Sequence, residues 1–95
     1  MMPFQIKNLR VDFIKQGKKF VAYSPALDLS TSGKNLSEAQ KRFREIVDIF
    51  FQELVENGTV EDVLTDLGWR KVEKKWNPPQ VVSRKSFNVS VPVAA

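Results

Sequence analysis

The sequence predicts an α+β domain: a three-stranded antiparallel meander, then a long and a short helix on one of its faces, then a further strand (β-β-β-α-α-β). A last strand at the C-terminus is available for exchange between subunits. Three observations carry this prediction. Apolar and polar residues alternate with a period of two from Leu9 to Thr31, broken at Gly17 and Pro25. The period changes to that of a helix from Ala39 to Leu54, and alternation returns in Phe87, Val89, Val91 and Val93. Residues 1–76 form the α+β domain in this division, and residues 77–95 form a Pro-containing linker and C-terminal strand.

The first strand rests on Leu9, Val11 and Phe13, which alternate with Arg10 and Asp12. Phe4 and Ile6 lie in the opposite phase, so a bulge or bend is expected near Lys7-Asn8. "KQGKK" supplies a tight turn at Gly17, and "FVAY" follows as the partner strand. Pro25 cannot donate to a strand ladder, so the second strand ends near Tyr23-Ser24. Leu27, Leu29 and Thr31 alternate with Asp28, Ser30 and Ser32, giving a third strand that stops at Gly33.

Helix-start signals follow at once. The Ser37 hydroxyl and the Gln40 side chain have the spacing of a capping box, with Leu36 placed to staple the first turn. Ala39, Phe43, Ile46, Val47, Phe50 and Leu54 share one helical stripe that suits packing over a sheet, and Asn57-Gly58 ends the helix. Ile49, Phe51 and Val55 flank the stripe; they suit either a wide core face completed by a second helix or a subunit interface. "TVEDVLTDLGW" is the second helix, with Thr59 as cap, Val60, Val63, Leu64 and Leu67 as its apolar face, and Gly68 as its stop. Trp69 to Trp76, "WRKVEKKW", sits between Gly68 and "NPP" and is read as one strand. Phe87 to Val93 has no later segment to pair with, so it must find an edge in its own domain or in another copy, as a dimer or tetramer.

Composition narrows the chemistry. The 95 residues include neither cysteine nor histidine, so disulfides, thiolate metal sites, cysteine nucleophiles and the commonest general base are all missing. No apolar run approaches the roughly 18 residues of a membrane span, and "MMPFQIKNLR" lacks the core of a signal peptide, so a cytoplasmic protein without membrane association is expected. The four glycines all fall at turns or helix ends, leaving no phosphate-binding loop. Ser24, Ser30, Thr31 and Ser32 lack a histidine to activate them, a pairing with Lys34 has no supporting context, and Asp12 and Asp28 have no spacing that sets them up as a catalytic pair. Neither an enzyme nor a cofactor is expected, and the acids from Glu45 to Asp66 read as a solvated helical face rather than a metal site. Charge is segregated: +4 over residues 1–35, −5 over 36–68 and +5 over 69–95. That pattern suits pairing of the ends with the helical surface, or a basic surface offered to an anionic partner.

"FVAYSPALDLSTSGKNLSEAQKRFREIVDIFFQEL" resembles the core of the HicB-like antitoxin family: an aromatic-ended strand, Ser-Pro, a short apolar and hydroxyl-rich strand, Gly-x-x-Leu, then a Glu-Ala helix. The resemblance covers roughly residues 9–57, and "LGW" with the later Trp-Asn-Pro-Pro resembles longer members. It implies a protein that binds and neutralises a small basic ribonuclease toxin of the HicA type. Two departures stand out. "ALDLSTS" replaces the commoner Pro-Gly-Cys/Val version, and "RKSFNVSVPVAA" resembles the first strand of a ribbon-helix-helix module whose helices do not follow in this sequence. Sequence-specific DNA binding is therefore not expected.

On this reading Tyr23, Asp28, Ser30 and Ser32 contact the toxin, while Ile49, Phe51, Val55, Phe87, Val89 and Val91 build a homo-oligomer. The acidic middle segment would steer a basic partner. The alternative is a small nucleic-acid-binding domain, in which Arg70, Lys71, Lys74, Lys75, Arg84 and Lys85 touch phosphates and Trp69 or Trp76 stacks on a base. For both tryptophans a place in the core is the simpler reading. A third possibility is an oligomeric domain without a toxin partner.

Overall fold

The computed structural model describes residues 5–93. Phe4, one half of the expected change of phase, lies outside the described residues. The elements run β1 (Asp12–Gln16), β2 (Lys19–Ser24), β3 (Leu29–Gly33), α1 (Leu36–Asn57), α2 (Val60–Asp66), β4 (Arg70–Val72) and β5 (Lys75–Asn77). The first three strands form an antiparallel sheet in the order β1-β2-β3, as the alternation predicts. The helices follow in the expected order, and the fold is α+β.

The first strand is shorter than the alternation suggests. The chain bends at Asn8 (φ 59°), and β1 begins only at Asp12, so Leu9 and Val11 pack on the core from an irregular approach segment. The turn at Gly17-Lys18 then joins Gln16 to its partner Lys19. The third strand is also shorter. Residues 25–28 form a turn, and Asp28 takes a left-handed conformation (φ 52°) that a short polar side chain tolerates better than an apolar one. Asp28 is thus lifted out of the ladder, while Leu27 beside it is fully buried.

The cap of helix α1 lies two residues before the expected one. The Asn35 side chain, not Ser37, caps it: the Glu38 N–H donates to Asn35 Oδ1 at 2.8 Å, and the Lys34 N–H donates to Glu38 Oε1 at 3.3 Å. Asn-x-x-Glu has the same spacing as Ser-x-x-Gln, and it prevails because the sheet delivers the chain to the helix directly after Gly33. Leu36 stays largely exposed and does not staple the turn. At the far end the Gly58 N–H donates to Val55 O and the Thr59 N–H to Leu54 O, the paired bonds of a Schellman ending. The same pair recurs after α2, from Gly68 to Thr65 O and from Trp69 to Leu64 O. Thr59 precedes α2 as expected but caps it with its backbone carbonyl alone, which accepts from the Val63 N–H.

Two apolar clusters hold these elements together. Ala22 of β2 meets Ala39 and Phe43 of α1, with Leu9, Val11, Phe20, Leu29, Ile46 and Val47 around them. Leu27, Leu64 and Trp69 form the second, joined by Phe50, Phe51, Val60, Leu67 and Trp76. Burial of Leu27 and Leu64 contributes about 1.5–3 kcal/mol each. Gly33 sets the distance between α1 and the sheet: a β-carbon there would lie 2.6 Å from Ala39 N and 2.9 Å from Glu38 C.

The segment Trp69 to Trp76 is not one strand. It folds as a hairpin, β4 against β5, around Glu73 and Lys74 at φ 50° and 68°. Two successive residues at positive φ define a tight turn whose twist matches the flanking strands, one usually built with Asn and Gly. Because neither residue here is of that kind, the turn carries no signal in the sequence. Residues 78–93 continue without a ladder partner among the described residues.

Candidate functional site

The sheet has one covered face and one open face. Ala22 points toward α1, so its neighbours Val21 and Tyr23 point away from it, together with their register partners. Those partners are Asp12 and Ser30 for Tyr23, and Ile14 and Ser32 for Val21. Asp28 joins them from the turn, where its Oδ1 accepts the Tyr23 hydroxyl at 3.4 Å. All four residues expected to meet a partner, Tyr23, Asp28, Ser30 and Ser32, are therefore brought together. Asp12, Ile14 and Val21 belong to the same surface and were not singled out from the sequence, although their phase opposite to Phe13 and Ala22 carries that information.

The chemistry of this surface is that of a recognition face. Ile14 and Val21 give an apolar centre, Tyr23 adds a hydroxyl, and the serines and two aspartates add acceptors at its border. Arg10 pairs with Asp12 at 3.5 Å, which leaves Asp28 as the acid answered only by Tyr23. The edge near Ser32 is fixed from behind, because Arg42 Nη1 donates to Ser32 O at 3.0 Å while Nη2 pairs with Glu38 at 3.1 Å.

The flanking residues of α1 separate. Phe51 turns into the second cluster, edge to face with Phe50 at a centroid distance of 5.1 Å, so it takes the wide-core alternative. Ile49 and Val55 remain exposed. Phe87, Val89 and Val91 are exposed too, on a tail without a ladder partner among the described residues.

The basic residues of the nucleic-acid alternative fall in two places. Arg70, Lys71, Lys74 and Lys75 crowd the β4–β5 hairpin, and Arg84 and Lys85 lie on the tail. Trp69 offers no stacking surface: it is 2% exposed, and its indole N–H donates to Ala26 O at 2.7 Å. Trp76 is half-buried, with Lys71 Nζ 5.8 Å from its ring centroid. Lys71 also pairs with Glu61 at 2.8 Å, and that hydrogen bond and charge hold the Glu61 carboxyl below its ordinary range. The pair supports the fold above the carboxylate range and loses that support as pH falls through it. In Lys71→Met the Glu61 titration, followed by carboxyl carbon NMR, moves up toward the ordinary value; an unmoved midpoint refutes the pairing.

No helix among the described residues is long and apolar enough to cross a membrane. Comparison with protein-family models, with curated proteins and with solved structures gave no match to this chain.

Proposed function

We propose that the protein is a HicB-like antitoxin, or a stand-alone relative, that binds and neutralises a small basic ribonuclease toxin of the HicA type. One observation supports this most: the four residues picked out by the resemblance converge on a single uncovered sheet face, with an apolar centre and an acidic border. A face of that composition suits a basic protein surface, with apolar contact at the middle and charge at the rim. The acidic C-terminal half of α1 and the acids of α2 add longer-range attraction for the same partner. The reading makes the chain a non-enzymatic cytoplasmic protein that assembles as a homo-oligomer through its C-terminal tail.

The test captures what the tagged chain retains from its host, identifies it by mass spectrometry, and assays any small basic protein recovered for RNA cleavage. Stoichiometric addition of the chain is expected to abolish cleavage. Asp28→Asn keeps a residue that tolerates the left-handed turn while removing the charge. Combined with Tyr23→Ala, it is expected to raise the inhibition constant at least tenfold with an unchanged circular dichroism spectrum. Undiminished cleavage in the presence of excess chain overturns the proposal.

The second reading, nucleic-acid binding, draws on the hairpin, where four cations stand within six residues beside the partly open Trp76 ring. It requires binding of a single-stranded oligonucleotide that weakens steeply as salt rises and that fails in the Lys74→Ala, Lys75→Ala double variant.

A further inference from the structure

Strand β1 is one edge of the three-stranded sheet, and among the described residues neither a strand nor α1 covers it. The helix packs over β3 and β2, leaving Phe13 on the helix side of β1 38% exposed. Between that strand and the helix lies a groove of about 740 Å³. Its floor is apolar, from Leu9, Val11, Phe13, Phe43 and Val47, and its helix side carries the polar Ser37 and Gln40 with Lys41, Arg44 and Asp48. An edge strand with unpaired N–H and C=O groups beside an apolar slot is a receptor for one more strand.

The tail has the matching pattern. Phe87, Val89, Val91 and Val93 alternate in the sequence with Asn88, Ser90 and Pro92, the pattern of a strand with one apolar side, and are 75–86% exposed. From Ser86 to Val93 the segment carries no charge, so the mixed charges of the rim do not oppose it. Pro92 suits a strand that becomes the new outer edge. The described chain measures 60 × 30 × 23 Å with a radius of gyration of 16.7 Å, against about 12 Å for a compact chain of this length. The tail therefore stands clear of its own domain, within reach of another.

We propose that residues 86–93 of one copy add as a fourth strand to the β1 edge of a second copy, with Phe87, Val89 and Val91 seated in the groove against α1, and that the exchange is reciprocal. This rests on the homo-oligomeric reading and names the surface that receives the tail. The tail leaves its domain where Pro78, Pro79 and Val81 pack by Asn8, Leu9 and Arg10. At about 3.3 Å per residue, a straight course along its own β1 would bring residues 84–88 level with Asp12–Gln16 and carry the valines past the end of the strand. Pairing two tails with each other would form an isolated two-stranded ribbon, marginal in water, with its apolar sides uncovered. A single docked strand falls short of the about 1,600 Å² of a standard specific interface, and reciprocal exchange doubles the contact.

The absence of cysteine makes disulfide trapping direct. Full-length Phe13→Cys chains are mixed with full-length Val89→Cys or Val91→Cys chains and oxidised, and sedimentation equilibrium is run on the unmodified protein alongside. The expected result is a dimer in sedimentation and a cross-linked heterodimer joining position 13 to the tail. Val89→Glu and Phe13→Glu are each expected to raise the dimer dissociation constant at least tenfold. Trapping only between two tails, with a dimer that survives Phe13→Glu, overturns the groove assignment and leaves the oligomer standing. A monomeric unmodified chain overturns both.

Discussion

Trp69→Ala is expected to destabilise the domain strongly, moving its urea midpoint well below that of the unmodified chain. Trp69 is the largest buried residue of the second cluster, 2% exposed against Leu27 and Leu64, and truncation of so large a buried side chain costs about 3–5 kcal/mol. Its indole N–H is also the partner of the Ala26 carbonyl at 2.7 Å across 43 residues of sequence, so the turn before Asp28 loses its tie to the C-terminal half. Against a total stability of about 5–15 kcal/mol for a domain of this kind, that loss is a large share of what is available. Trp69→Phe keeps an aromatic ring but removes the donor together with part of the indole volume, so about 1–3 kcal/mol for the unpaired Ala26 carbonyl adds to a smaller packing loss than in Trp69→Ala. Urea midpoints of the two variants check this; equal midpoints for Trp69→Phe and the unmodified chain refute the role of the hydrogen bond.

Gly33→Ala is expected to cost about 3 kcal/mol, near the upper end of what overpacking usually costs. The added carbon would sit 2.6 Å from Ala39 N and 2.9 Å from Glu38 C, and both are helix backbone. No rotamer change relieves a backbone clash. The first turn of α1 must move outward, separating Ala39 from Ala22 and pulling Arg42 away from Ser32 O. Shrinking the neighbour does not help, so Ala39→Gly in the same chain adds its own cost instead of rescuing the fold. Denaturation of the single and double variants decides it: recovery in the double variant would place the clash on the Ala39 side chain and refute this account.

The order of elements was legible because each rests on a repeating pattern. Alternation marks β2 and β3, a helical stripe marks α1, and glycine marks both helix ends. What the sequence concealed depends on which of two equivalent signals prevails. Asn35 and Ser37 both head a capping box, and only the position where the sheet releases the chain selects Asn35. Glu73-Lys74 lacks turn residues altogether, so its hairpin was read as one strand; the turn adopts positive φ because the flanking strands pair, not because its own residues favour it. The candidate surface was half legible. Tyr23, Ser30 and Ser32 follow from strand phase, whereas the approach of Asp28 to Tyr23 depends on a left-handed turn that alternation alone had assigned to a strand. The groove beside β1 was invisible, since it arises from where α1 crosses the sheet rather than from any local pattern.

The division of the core into two clusters bears on how the domain comes apart. Leu9, Leu29 and Val47 touch both clusters, while α2 and the β4–β5 hairpin belong only to the second. The C-terminal third is therefore held to the rest through the second cluster alone, and a fluctuation that withdraws Trp69 loosens it as a unit without dissolving the first. Partial opening of this kind has a lower free energy than global unfolding. The amides of β4 and β5 should exchange with solvent through that smaller event, and those of β2 and the first half of α1 only through the larger one. A cell protease would meet the same hierarchy, and degradation would begin from the C-terminal side with the sheet still intact.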